Sequence, residues 1–432
     1  MAGSFRILSL RMSGYRGIRD STIEFADGPV TVLAGKNGAG KSSVLDCLAI
    51  LFRGLFAALA GARSSRRQFT AKDLSNDRSE MSCSVRFTVP LPFQAAPDEL
   101  DWSLTVKRLS KGDIRAVTRS PSNQGTLTLL KDLLLEETGP ELPLTIHYGI
   151  ERADIDASAP ADELIGRSAN PYDQALEPGS GHFRSFVHWF REQEDAENAE
   201  IVRRGVRSRR RPVDPSLDAV RRAVESFLPG FSDLHIERKP SPRLVVRKGP
   251  EQLDVDQLSH GERSLLAMVG DLARRLAMVN RGGGDPLRSP GWVFIDEMEL
   301  HLHPSWQRSV IPRLCQTFPQ CQFVITTHSP QVLADVPASA VRRLRRKDAD
   351  VVAEQPAAGT QGRDSNAILE DVLETPDRPE STLRDLQEIA RLIDQERLEE
   401  AQRGIDQLAR VLTDKDAEIV RLRSLIDFLG HP

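Results

Sequence analysis

Four cysteines in 432 residues, Cys47, Cys83, Cys315 and Cys321, are too few and too scattered for a disulfide framework. None forms a Cys-x-x-Cys pair, and Cys315 and Cys321 have no matching Cys/His cluster, so neither structural zinc nor an oxidising compartment is expected. There is no excess of either charge. Lys+Arg number 58 against 62 Asp+Glu, a net charge of −4, which excludes a global pull toward nucleic acid or membrane and leaves only local patches. No run reaches the roughly 20 uninterrupted apolar residues that a bilayer span needs. The most apolar early stretch, Val44 to Leu59, is broken by Asp46 and Arg53 and reads as a buried helix. No apolar core follows a basic start, so the expected location is cytoplasmic, with no membrane partner. With 39% apolar and 28% charged residues the chain reads as globular, and its length predicts two or three lobes at about 100–200 residues each.

Hydrophobic periodicity orders those lobes. Residues 1–150 read as a β-rich layer with one strong helix: Met1–Met12 alternates, and Ile23–Phe25, Val30–Leu33, Ser84–Val89, Leu104–Val106 and Leu144–Tyr148 have strand composition. Residues 151–240 begin with a polar, Ala/Pro/Ser/Gly-rich loop. They continue as a helical lid in which Phe183, Phe186, Val187 and Phe190, then Val220, Val224, Phe227 and Leu228, recur at helical spacing. Residues 241–347 hold a strand at Leu244–Val246, a long helix and two very apolar strands, Trp292–Ile295 and Phe323–Thr326, suited to a central parallel sheet. Residues 348–378 read as a linker, and 379–432 as three short packed helices, the last opened by a capping box of Thr413 and Asp416. The predicted fold class is α/β, a mixed sheet with parallel core strands and a β-rich subdomain.

Gly35-Lys36-Asn37-Gly38-Ala39-Gly40-Lys41-Ser42, followed by Ser43, fits GxxxxGK[ST] at every fixed position, between a predicted strand and a predicted helix. Small residues let successive N–H groups turn inward around phosphate oxygens, and the helix N-terminus adds partial positive charge. Lys41 is placed to reach the β- and γ-phosphates of ATP, and Ser42 to ligate Mg²⁺. The apolar strand Trp292–Ile295 ends in Asp296 and Glu297. Such a pair suits one acid to hold Mg²⁺ (Asp296) and the other to take a proton from water (Glu297).

Leu258-Ser259-His260-Gly261-Glu262-Arg263 precedes the long helix. With the phosphate loop and the acidic pair, this resembles the ABC-type ATPases of the RecF, SMC and OLD-like branch, whose signature is LSGGE-like; His260 departs from it. The resemblance implies that Ser259 and Gly261 contact the γ-phosphate held by an opposite subunit, so heads would dimerise. Ser259 would also serve as a helix N-cap. Glu297–Pro304 resembles the segment after the second acid in that branch, and Ile325–Pro330 its switch-histidine strand, which implies that His328 senses the γ-phosphate or positions water. His301 and His303 have metal-ligand spacing but no third partner and read as structural or loop residues. Gly14–Ile18 resembles the aromatic-Arg-Gly turn of these heads. It places Arg16 either near the nucleotide or on the surface, and Gln68 is the available glutamine-loop residue.

No Toprim nuclease is expected, because Asp348 and Asp350 follow a basic run with no apolar strand before them. The run Arg203, Arg204, Arg207, Arg209, Arg210, Arg211 would either contact DNA or RNA or be a solvated loop. Residues 362–372 and the helices after them resemble the Septu and retron-associated PtuA-type ATPases. That resemblance implies a regulator or sensor in an anti-phage defence complex with a separate HNH nuclease. The alternative is a RecF-like repair ATPase that clamps DNA without a nuclease.

Overall fold

The computed structural model describes residues 5–60, 68–90, 97–109, 114–117, 121–135, 142–153, 171–172, 174–177, 181–204, 214–280, 284–348 and 350–430. They fall into two compact units, residues 1–368 and 369–432.

In the first unit the central sheet runs in the order Asp350–Glu354, Val341–Lys347, Val30–Ala34, Cys321–Thr327, Gly291–Ile295, Leu144–Tyr148. All pairings are parallel except the first, which is antiparallel. The four strands from Val30–Ala34 to Leu144–Tyr148 are buried along their whole length, as in a parallel sheet covered on both faces. A second, antiparallel sheet has the order Ile18–Glu24, Arg6–Tyr15, Glu80–Val89, Asp98–Arg108, Ile114–Val117. Helix Lys41–Leu59 packs with both, and their aromatic residues share one core. The Phe52 ring lies 4.5 Å from Trp292 of the central sheet and 5.9 Å from Phe87 of the antiparallel one. Burying one such ring is worth about 1.5–3 kcal/mol. The same helix is long and apolar enough by composition to cross a membrane, and 50% of its most apolar window is buried in the fold.

Helices Gly181–Arg204 and Pro215–Phe227 pack on helix His260–Val279. The approach is so close that a Cβ at Gly270 would lie 2.6 Å from the Phe186 ring. The segment expected as a helical lid therefore forms a layer over the signature helix, and it ends in strand Phe231–Glu237, which pairs with Arg243–Lys248. The polar loop expected before it lies mostly outside the described residues, as do Arg207, Arg209, Arg210 and Arg211. Arg203 is paired with Glu200 at 2.7 Å.

Four expectations are corrected. The first 150 residues hold a second helix, Pro121–Leu135. The presumed linker contains the edge strand Asp350–Glu354 and helix Ser365–Asp371. The basic run before Asp348 is itself a strand, Val341–Lys347, because an edge-proximal strand can expose arginines that a central one cannot. Asp348, at φ 54°, lies in the turn of this hairpin, and Asp350 Oδ1 accepts from the Asp20 N–H at 2.9 Å. In the second unit the three helices are Glu380–Asp394, Leu398–Leu412 and Ala417–Gly430, around Ile389, Ile393, Ile405, Leu408, Ile419 and Leu422. Their last cap differs: Thr413, at φ 81°, ends the preceding helix, and Asp416 alone accepts from the N–H groups of Glu418 and Ile419.

Candidate functional site

The phosphate loop joins strand Val30–Ala34 to helix Lys41–Leu59. Gly35, Gly38 and Gly40 have φ of 149°, 78° and 97°, which side-chain-bearing residues rarely adopt. At Gly35 a Cβ would also be driven into the Leu344 carbonyl. No side chain caps the helix at Gly40, so its leading N–H groups remain available to an anion. Asn37 and Ser42 are exposed, Ala39 is buried and Ser43 half-buried. Lys41 is only 5% exposed. Its ammonium donates to the carbonyls of Gly35 (2.8 Å) and Lys36 (3.0 Å) and lies 3.4 Å from His328 Nδ1. Burial pushes it down to about 8, against the opposing pull of Glu299, Asp296 and Glu297.

Asp296 leaves the end of strand Gly291–Ile295 one strand beyond Cys321–Thr327. Its Oδ1 accepts from Thr326 Oγ1 at 2.5 Å and from Ser42 Oγ at 3.2 Å. A carboxylate and a hydroxyl meeting at one oxygen form a donor pair suited to a hard cation such as Mg²⁺. Among the described residues no group of three or more His, Cys, Asp or Glu could hold a metal, so the remaining ligands would be phosphate and water oxygens. The Glu297 carboxylate makes no hydrogen bond or ion pair among the described residues, while its N–H donates to Thr326 Oγ1 at 2.7 Å. Glu299 accepts from the His328 N–H at 2.5 Å and from Thr327 Oγ1 at 2.8 Å, and so holds the end of strand Cys321–Thr327 and the residue after it. Burial, then the Lys41 ammonium, pushes His328 below its usual range, so the imidazole is neutral at pH 7.

Three carboxylates, Asp296, Glu297 and Glu299, thus face two cations. One is Lys41; the other, Arg152, has no motif to announce it. Arg152 is 8% exposed and donates to the carbonyls of Gly149, Asp296 and Glu297. The only sequence signal was an arginine closely following an apolar strand. Glu299 and Thr326 were visible only as members of the segments Glu297–Pro304 and Ile325–Pro330, with no role attached to either.

The helix that follows the signature begins at His260, so His260 and Gly261 occupy its first turn. Ser259 is its N-cap in a reciprocal capping box: the Glu262 N–H donates to Ser259 Oγ (3.3 Å), and the Ser259 N–H donates to Glu262 Oε2 (3.2 Å). Ser259 and His260 are exposed, and Gly261 is buried where a Cβ would lie 2.5 Å from the His301 carbonyl. Ser259, His260, Gly261, His301, His303 and Trp306 line much of a cleft of about 760 Å³, and none of its lining residues comes from the phosphate loop. His303 caps the next helix, Pro304–Thr317, by accepting from the Ser305 N–H, and His301 stands with its ring 5.9 Å from His260. Deep below, Asp271 of the signature helix binds Arg274 (2.6 Å), Arg275 (2.9 Å) and Tyr148 Oη (3.0 Å), all buried. The Tyr148 carbonyl in turn accepts from the Asp296 N–H at 2.9 Å. Arg16 forks between Asp73 and Asp46, the latter on the phosphate-loop helix, each at 2.7 Å, and so braces that helix. Gln68 is exposed beside Phe69, whose ring packs on Tyr15.

The family model described as "AAA domain, putative AbiEii toxin, Type IV TA system" matches residues 30–334. A retron Ec83 probable ATPase from Escherichia coli is 28% identical over 87% of this chain and 78% of its own. A Septu protein PtuA from Bacillus thuringiensis is 23% identical over 85% of this chain and 84% of its own. Among solved structures, an SMC head bound to the C-winged helix domain of ScpA covers 81% of this chain and 97% of its own, at 15% identity and a TM-score of 0.47.

Proposed function

Because the chain belongs to this AAA-domain family, we propose that it binds and hydrolyses ATP between two copies of itself. The observation that carries this reading is the meeting of Ser42 and Asp296 at one carboxylate oxygen, with Lys41, Glu297 and His328 around it. Backbone N–H groups of Gly38–Ser43 and the Lys41 ammonium bind the phosphates. Ser42 and Asp296 would hold Mg²⁺, which supplies charge neutralisation on the phosphate oxygens when bound. Glu297, whose carboxylate has no hydrogen-bond or ion-pair partner among the described residues, takes the proton of the attacking water. Neutral His328, anchored through its N–H by Glu299, orients that water or the γ-phosphate. Ser259 and Gly261 complete the site from a second copy. The exposed cleft at the signature, which shares no lining residue with the phosphate loop, supports this arrangement.

The similarity to a retron probable ATPase and a Septu protein supports a defence ATPase, and we propose that it acts as regulator or sensor in an anti-phage complex with a separate HNH nuclease docked on it. Slow turnover would suit that role, since nucleotide occupancy can itself be the signal. Purifying the native complex and identifying its chains by mass spectrometry tests this. A nuclease chain in fixed ratio is expected; recovery with replication or repair proteins alone would contradict it.

A further inference from the structure

Glu297 has φ 45°, in the left-handed region, which costs a residue with a side chain about 1 kcal/mol or more. Such a conformation persists only where its surroundings over-determine it. Thr326 Oγ1 takes the Glu297 N–H from one side. From the other, the Arg152 guanidinium donates Nη2 to the Glu297 carbonyl at 2.6 Å and Nη1 to the Asp296 carbonyl, while Nη1 also reaches Gly149 at 3.0 Å. Both peptide oxygens of the acidic pair are therefore held by one planar fork, which a lysine could not reproduce. Arg152 follows strand Leu144–Tyr148, whose last carbonyl accepts from the Asp296 N–H, so fork and strand end grip the same turn. A buried guanidinium that spends these bonds on carbonyls is costly unless acids lie close by. Asp296, Glu297 and Glu299 are those acids, and against them burial takes Arg152 down only to about 10, so it stays charged.

We infer that Arg152 is a positioning residue for hydrolysis: it fixes the Asp296–Glu297 turn so that the Glu297 carboxylate is presented unbonded to the attacking water. This rests on Glu297 being the general base. A guanidinium that served only the fold would lower stability and nucleotide binding alike. One that positions the base lowers the chemical step while binding persists.

The test uses the full chain carrying Arg152→Met, Glu297→Gln or both, with ATP–Mg²⁺ affinity measured by titration and the chemical step by single-turnover hydrolysis. Arg152→Met is expected to keep its affinity within about threefold and lose about 10- to 100-fold in the chemical step, the range seen when outer-shell partners are removed. In the Glu297→Gln background it should add no further loss, because both changes remove the same event. Should Arg152→Met fail to fold, Arg152→Gln takes its place with the same expectation. If Glu297→Gln alone leaves hydrolysis intact, the base assignment falls and the inference with it. If Glu297→Gln abolishes hydrolysis but the Arg152 variant hydrolyses at the wild-type rate, loses affinity in step with rate, or multiplies the loss of the double variant, the positioning role alone is overturned.

Discussion

Replacing Lys41 with Met should stabilise the protein in the absence of nucleotide while abolishing ATP binding. Lys41 is 5% exposed, and its ammonium donates to the carbonyls of Gly35 and Lys36, lies 3.4 Å from His328 Nδ1 and has no ion pair among the described residues. Its lowering from 10.5 to about 8, caused first by burial, costs the folded state about 3 kcal/mol at neutral pH, by linkage. The two hydrogen bonds return about 1 kcal/mol each. Methionine keeps most of the stem, so the variant should gain about 1 kcal/mol at pH 7. The sign with pH follows from proton counting. Between about pH 8 and 10.5 the unfolded chain retains a proton that the folded chain has released, so wild-type stability rises across that window. Below it the penalty is fully present. Denaturant unfolding of both proteins at pH 7 and pH 10 reads this directly: the advantage of the variant is expected at pH 7 and gone at pH 10. Saturating ATP–Mg²⁺ at about 100 times the dissociation constant should add about 2.7 kcal/mol to the wild type and nothing to the variant. A variant at least 1 kcal/mol weaker at pH 7, or one whose difference from wild type is the same at both pH values, would refute the reasoning.

Two further substitutions probe other parts of the site. Gly261→Ala places a methyl carbon 2.5 Å from the His301 carbonyl, a backbone atom that cannot rotate away, and overpacking of this kind costs about 1–3 kcal/mol. It should slow hydrolysis without weakening ATP binding to the single chain, and unchanged turnover would remove Gly261 from the site. Asp271→Ala leaves Arg274 and Arg275 buried without their shared acid and should cost about 3–5 kcal/mol in denaturant unfolding, whereas a loss under 1 kcal/mol would show that the cluster is dispensable.

What could be read from the sequence was whatever is encoded by contiguous residues. The phosphate loop, Asp296–Glu297 and the Ser259–Glu262 cap each lie within a few positions, and their local geometry is set by neighbours in the chain. The inner strands announced themselves because burial on both faces demands unbroken apolar runs. Arg152 was silent because its partners are backbone carbonyls, those of Asp296 and Glu297 lying 144 and 145 positions away, and a carbonyl leaves no trace in a sequence. Thr326 was silent for a related reason: its neighbour Thr327 is equally buried, and only strand register decides which hydroxyl meets Asp296 and which meets Glu299. The strand Asp350–Glu354 looked like part of a linker because an edge strand tolerates the polar and acidic residues that elsewhere mark a loop.

The claim on which the rest depends is that one copy's phosphate loop and another's signature helix close on the same ATP. Light scattering of the Glu297→Gln variant with ATP–Mg²⁺ measures it most directly. The expected result is a shift to twice the 48.0 kDa of the single chain, lost when Ser259→Arg is added. A variant that binds ATP tightly and stays at the mass of one chain, or a dimer indifferent to Ser259→Arg, would contradict it.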